Sequence, residues 1–279
     1  MARSFLQVDV FASDRYRGNA LAVVLDGTGL DVDAMQRFTD WTNLSEATFL
    51  LPSTRPGADY RVRIFCPGRE LPFAGHPTLG SCHAWLESGG KPRADDIIVQ
   101  ECEVGLVRIR RDGDRLAFAA PPLVRSGAMP DATVESLVAG LGIRRDQVKA
   151  HAWCDNGPQW QALLLDSADT VLGLRPDPAR LAGEFVGVVG PLRAGSETAF
   201  EVRAFFPGQS GLTEDPVTGS LNAALGQWLI PAGFAPTRYV ASQGTVLGRA
   251  GRVHVERDAQ GDTWIGGRSL TCIAGSVEL

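Results

Sequence analysis

"RIFCPGRELPFAGHPTLG", residues 63–80, decides how the chain folds, because parts of it return later. "RIFCPG" at 63–68 recurs as "RAFFPG" at 203–208, and "HPTLGS" at 76–81 meets "DPVTGS" at 215–220. Upstream, "AVVLD" at 22–26 recurs as "ALLLD" at 162–166. The separations are 140, 139 and 140 residues, in one order along the chain, which is the mark of a duplicated unit. The predicted organisation is therefore two copies, residues 1–120 and 130–279, joined through "PPLVRSGAMPD" at 121–131.

Within each copy the apolar pattern is mostly that of strands. "LQVDVFA", "NALAVVLD", "EATFLLP" and "DYRVRIF" alternate or run apolar between turns, and "QWQALLLD" and "FEVRAFFP" do the same in the second copy. Helical spacing marks 76–88, with Leu79, Cys82, His83 and Leu86 on one face and Pro77 at the first helical position. It also marks a segment from about 217 to 229, with Leu221, Ala224, Leu225 and Trp228 inward. "DVDAMQRFTDWTN" forms a further helix, capped by Asp31 or Asp33, with Met35, Phe38 and Trp41 together. "DATVESLVAGLG" at 131–142 forms another, ended by Gly142. The fold class is α+β, each copy a sheet wrapped around one central helix.

Composition narrows the partners. The chain has 279 residues, 44% of them hydrophobic, and a net charge of −5. Mild acidity without a basic run argues against nucleic acid, and no apolar run nears the roughly 20 residues of a membrane span. "MARSFLQVDVF" lacks a signal-peptide core. The five cysteines have no C-x-x-C spacing and read as reduced thiols of a cytoplasmic protein. Neither a metal-ligand cluster nor G-x-G-x-x-G before a helix is present, so no metal and no cofactor is expected.

Both central helices begin behind a Gly/Pro-rich loop, "FAGHPTLG" and "EDPVTGS". A helix start with free N–H groups suits an anion such as a carboxylate, and two such starts from similar lobes would converge on one cleft. Gly75 lets a ligand approach the backbone, and His76 can hydrogen-bond a substrate polar group. Titratable groups at these places are His76, the pair Glu214–Asp215, and Glu46 in "NLSEATF". A carboxylate in a dry cleft can exchange a proton near neutral pH, so the set suits general acid/base work on a small carboxylate-bearing molecule. By type alone, Glu46 reads equally as a solvated corner, His76 as a helix cap, and Glu214–Asp215 as a turn with its N-cap. His83, His151 and His254 read as structural.

"DVFAS", "RGNALAVV", "NLSEATF", "RIFCPGRELPFAGHPTLG" and "EDPVTGS" together resemble the phenazine-biosynthesis PhzF-like family, from Gln7 to the C-terminal strand. The resemblance implies a diaminopimelate epimerase-like fold: two pseudo-symmetric lobes, each a mixed barrel-like sheet around a central helix, with the active site between them. It implies a cofactor-independent biosynthetic isomerase and a homodimer. It assigns Glu46 as the proton-shuttling glutamate, Asp215 as the second acidic residue, and Gly75, His76, Gly219 and Ser220 as the loops holding the substrate. Related epimerases use a cysteine at each helix opening; "FAGHP" and "EDPVT" have none, which argues against a thiol pair. The expected reaction shifts a proton between carbons of a small carboxylate-bearing metabolite, with Glu46 carrying the proton and Asp215 and His76 polarising the substrate. Two other readings stay open: a lyase or hydrolase using the same glutamate, and a non-catalytic binder of a small metabolite.

Overall fold

A computed structural model describes residues 1–208 and 211–279. The chain divides into two compact units, residues 1–119 with 266–279, and residues 120–265.

The first unit runs β1 (Ala2–Val10), β2 (Asn19–Val24), α1 (Val32–Thr42), β3 (Glu46–Leu51), β4 (Tyr60–Cys66), β5 (Arg69–Leu71), α2 (Gly75–Glu87), β6 (Ile97–Cys102), β7 (Gly105–Asp112) and β8 (Arg115–Ala119). β1–β2, β3–β4, β4–β5, β6–β7 and β7–β8 pair antiparallel, whereas β2–β3 and β4–β6 are parallel. Parallel neighbours need a crossover, and these two are bridged by α1 and α2. Asp31 caps α1, accepting from the Ala34 N–H at 2.7 Å.

The second unit repeats the plan. After α3 (Asp131–Leu141) come β9 (Val148–Cys154), β10 (Trp160–Leu165), α4 (Ala168–Gly173), β11 (Val186–Pro191), β12 (Phe200–Gly208), β13 (Gly211–Glu214), α5 (Gly219–Leu229), β14 (Arg238–Gln243), β15 (Gly251–Arg257) and β16 (Thr263–Gly267). Pairing senses follow those of the first unit: β9–β10, β11–β12, β12–β13 and β14–β15 are antiparallel, and β10–β11 and β12–β14 are parallel. The same order with the same senses is the structural form of the duplication.

Each unit has a central helix. Residues 75–82 of α2 are buried on every side, as suits a helix surrounded by strands; it touches β1, β2, β3, β6 and β8. Gly80 makes that approach possible, since a Cβ there would lie 2.6 Å from Leu21 Cδ2 and 2.8 Å from Val10 Cγ2. α1 covers an outer layer where Phe5, Phe38, Phe49 and Phe65 meet edge to face in succession, at 6.2, 5.9 and 5.6 Å. In the second unit α3 and α4 supply the outer layer, with Val134, Leu137, Leu141 and Val171 against Leu163, Leu165, Val186, Val188 and Phe205.

Four expectations change. The last strand, β17 (Ser269–Glu278), groups with the first unit instead of the second, because it pairs with β1 from Ala2↔Glu278 to Val10↔Ser269. α2 begins at Gly75, so Pro77 is its third residue; a proline fits there because first-turn N–H groups lack intrahelical partners. The helix openings correspond as Gly75 with Gly219, a separation of 144 residues. "HPTLGS" and "DPVTGS", matched at 139, are therefore out of structural register. Trp41, expected on the apolar face of α1, is 79% exposed.

Candidate active site

Glu46 is the first residue of β3 and His76 the second residue of α2, and the fold brings them together within the first unit. Glu46 Oε2 lies 3.2 Å from His76 Nε2, a contact not aligned as a hydrogen bond. On the other side of the ring, Asn19, the first residue of β2, presents its amide Nδ2 to His76 Nδ1 at 3.4 Å. An amide N–H facing Nδ1 makes that nitrogen the acceptor, so the ring proton belongs on Nε2, facing Glu46. Burial lowers the pKa of His76 to about 3, so the imidazole is neutral at physiological pH. The pair is a carboxylate beside a neutral N–H donor, not an ion pair. Nearby Cys66 is half-buried; burial first, and then the charge of Glu46, push its thiol up, away from thiolate chemistry.

Both helix openings lack a side-chain cap. Ala74 at the N-cap of α2 has no group to offer, and Thr218 at the N-cap of α5 makes no cap bond. Thr218 instead donates its hydroxyl to Asp215 Oδ2 at 2.6 Å. Gln243, at the end of β14, fixes this loop with a fully used amide. Its carbonyl accepts from the Thr218 N–H at 3.0 Å and Asn222 Nδ2 at 2.9 Å, and its Nε2 donates to Thr218 Oγ1 and the Asp215 carbonyl. Gln100 on β6 plays the matching part in the first unit, accepting from the Tyr60 hydroxyl and donating to Thr78 Oγ1. Gly219 and Ser220 open α5, and Ser220 Oγ accepts from the Trp160 indole at 3.0 Å.

Glu214, read from the sequence as a titratable partner of Asp215, has a structural role. Its two oxygens take Arg203 Nε and Nη2 at 2.8 and 2.7 Å, while Arg203 Nη1 reaches the carbonyls of Val171 and Leu174. The first unit has the same device, Arg63 on Glu70 at 2.7 and 2.6 Å. Each clamp joins the hairpin that leads into a helix opening.

The fold thus joins Glu46 to His76 in one unit, and Asp215 to Thr218 and Gln243 in the other. Sequence reasoning missed Asn19, Trp160 and Gln243 as partners of these groups. Asn19 lay inside the "RGNALAVV" motif, but nothing local signals a hydrogen bond to a residue 57 positions away. Two other histidines make structural contacts: His151 Nδ1 accepts from the Met129 N–H, and His83 contacts Thr271 and Glu87. Among the described residues no group of three or more His, Cys, Asp or Glu stands together to hold a metal. A hollow of about 670 Å³ lies apart from these residues, lined by Phe38, Trp41, Val277 and Leu279 among others.

A profile of the family described as phenazine biosynthesis-like protein matches residues 8–275. A curated relative in Schizosaccharomyces pombe, antisense-enhancing sequence 1, is 36% identical, covering 98% of this chain and 97% of its own. The trans-2,3-dihydro-3-hydroxyanthranilate isomerase of Pseudomonas aeruginosa is 32% identical over 92% of this chain and 91% of that protein. Among solved structures, a PhzF-family phenazine biosynthesis protein from Bacillus anthracis superposes with a TM-score of 0.82 at 20% identity, over 100% of both chains. That likeness is one of fold.

Proposed function

The chain belongs to the phenazine biosynthesis-like protein family, and on that premise we propose that it shifts a proton between carbons of a small, unsaturated or cyclic carboxylic acid, without a cofactor. It is an enzyme of isomerase type, as relatives at 32 and 33% identity over nine-tenths or more of the chain are named. The substrate in the name of the Pseudomonas aeruginosa relative, trans-2,3-dihydro-3-hydroxyanthranilate, is the first candidate for this chain.

The observation that carries the reading is Glu46 Oε2 held 3.2 Å from a neutral, buried His76. A cation at that distance would make a carboxylate a weaker base, and a neutral imidazole avoids this. In the proposed reaction Glu46 takes a proton from a saturated carbon adjoining the double bond. The electron pair left behind shifts the double bond, and Glu46 returns the proton to the far carbon. Atoms and charge balance with no oxidant or second reactant. The Nε2–H of His76, which makes no aligned hydrogen bond to Glu46, polarises the substrate. Asp215, held by Thr218, is the second acidic group, and the uncapped opening at Gly219–Ser220 takes the carboxylate. The five free cysteines suit a cytoplasmic setting.

Glu46→Gln tests the assignment, since it preserves shape and removes the base. The expected result is loss of turnover of trans-2,3-dihydro-3-hydroxyanthranilate by at least about a thousandfold, within the range for general acid/base catalysis, with binding and melting temperature nearly unchanged. Normal turnover by this variant would sink the assignment.

A further inference from the structure

We propose that Trp160 is a positioning residue that turns the Ser220 hydroxyl into a hydrogen-bond donor for the substrate's carboxylate. The inference rests on the reading that Ser220 binds that carboxylate.

Trp160 is the first residue of β10, 3% exposed, and its ring meets Phe185 edge to face at 5.6 Å. Its Nε1 lies 3.0 Å from Ser220 Oγ. A hydroxyl has one proton to give and two lone pairs to accept with, whereas an indole N–H can only donate. The bond to Trp160 therefore occupies a lone pair and leaves the Ser220 proton pointing elsewhere. Among the described residues none accepts that proton. Asn156 fixes the backbone of the same residue, donating Nδ2 to the Ser220 carbonyl at 2.9 Å. Ser220 is partly exposed, so the proton that Trp160 leaves unused is available to a ligand.

The chemical identity of residue 160 decides the polarity of this group. A glutamine carbonyl or an unprotonated imidazole nitrogen there would capture the hydroxyl proton and turn a lone pair outward, which repels a carboxylate. A donor-only ring does the opposite and selects one of the serine's three rotamers in advance, lowering the ordering cost of binding. The first unit uses the same placement: the first residue of β2, Asn19, donates to the second residue of α2, His76, as the first residue of β10 donates to the second of α5. The orienting donor sits at one strand position in both units, though the group it orients differs.

The test is a double-mutant cycle of Trp160→Phe and Ser220→Ala, built in full-length protein carrying Glu46→Gln so that the probe is bound but not consumed. Titration calorimetry with trans-2,3-dihydro-3-hydroxyanthranilate gives the dissociation constants. Ser220→Ala should weaken binding about thirtyfold, as the loss of a hydrogen bond to a charged group does, and Trp160→Phe about fivefold. In the Ser220→Ala background Trp160→Phe should have no further effect, because its action passes through the hydroxyl. With Glu46 intact, Trp160→Phe should raise KM by a similar factor and leave kcat within about twofold.

An equal loss in both backgrounds would mean the indole only fills space, and the inference falls. Unchanged binding by Trp160→Phe in the Ser220 background also overturns it. If Ser220→Ala binds normally, or the parent protein does not bind this carboxylate, the reading of Ser220 fails first and takes the inference with it. Should Trp160→Phe fold poorly, benzothienylalanine at position 160 keeps the ring shape without the N–H, and the same outcomes apply.

Discussion

Glu214→Gln and Glu70→Gln compare one device at two depths. Arg203 and Glu214 are joined by two hydrogen bonds at 2.8 and 2.7 Å, with side chains 5 and 13% exposed. Arg63 and Glu70 repeat the geometry at 2.7 and 2.6 Å, with side chains 19 and 28% exposed. Both guanidinium groups lie over a phenylalanine two residues on, Phe205 at 4.9 Å and Phe65 at 5.2 Å. The ion pair and the stacking are therefore matched, while Arg203 is the more buried and has two further carbonyl acceptors. Glu214→Gln strands a buried guanidinium whose remaining partners are the carbonyls of Val171 and Leu174, which supports a loss of about 3–5 kcal/mol. Glu70→Gln leaves a cation that water can reach, and should cost about 1 kcal/mol. At about 2–4 °C per kcal/mol for chains of this size, the melting temperatures should fall by roughly 10 and 3 °C. Arg203→Leu with Glu214→Leu removes both charges and should recover most of the first loss, because apolar replacement of a buried pair is often close to neutral. Urea unfolding of the parent, both single variants and the double variant reads all three. Equal losses at the two sites, or a double variant as unstable as Glu214→Gln, would refute the claim that burial governs the cost.

Three further outcomes are expected. His76 has a folded pKa of about 3 against 6.5 in the unfolded chain, so between those values the unfolded state binds the extra proton. Its contribution is complete above pH 6.5 and is lost as pH falls toward 3, at about 1.4 kcal/mol per pH unit. Urea titrations at pH 7, 6 and 5 should show that slope reduced in His76→Gln, and parallel slopes would contradict a neutral buried ring. Gly80→Ala, which normally favours a helix, should here destabilise by about 1–3 kcal/mol, because the new methyl meets Leu21 and Val10; a raised melting temperature would contradict that packing. Gln243→Leu orphans the buried Thr218 N–H and removes one of the two acceptors of the Asn222 amide, which keeps the Thr218 carbonyl, and should cost about 2–4 kcal/mol. The same variant should lower kcat more than it raises KM, since it frees the loop bearing Asp215.

Much of this molecule is legible in its sequence, and the rest is hidden for identifiable reasons. "RIFCPG" and "RAFFPG" announced the duplication because they carry the clamp arginines, Arg63 and Arg203, and the phenylalanines beneath them. The helix openings misled: Gly80 is an interior glycine that lets α2 approach its strands, whereas Gly219 starts α5. The same G-S letters serve different physical needs, so they align out of register. Glu46 and His76 stand out in the sequence as titratable groups beside a helix opening and a strand corner, and the resemblance gives them roles, but their contact joins residues 30 positions apart through pairing that no local pattern encodes. Trp160 to Ser220 and Gln243 to Thr218 are likewise long-range bonds. Return of the C-terminal strand to β1 left no trace in composition, since alternation reads the same whichever strand it pairs with.

The most direct test of the central claim is solvent deuterium incorporation. The parent protein and Glu46→Gln would each be incubated with trans-2,3-dihydro-3-hydroxyanthranilate in D₂O and followed by NMR. The predicted result is deuterium at the carbon that gains the proton, because the protonated Glu46 carboxyl exchanges with solvent before delivering it, with the double bond moved and no water added or eliminated, and none of this in Glu46→Gln. Exchange that persists without the Glu46 carboxylate, or elimination or hydration of the acid in place of isomerisation, would contradict the account.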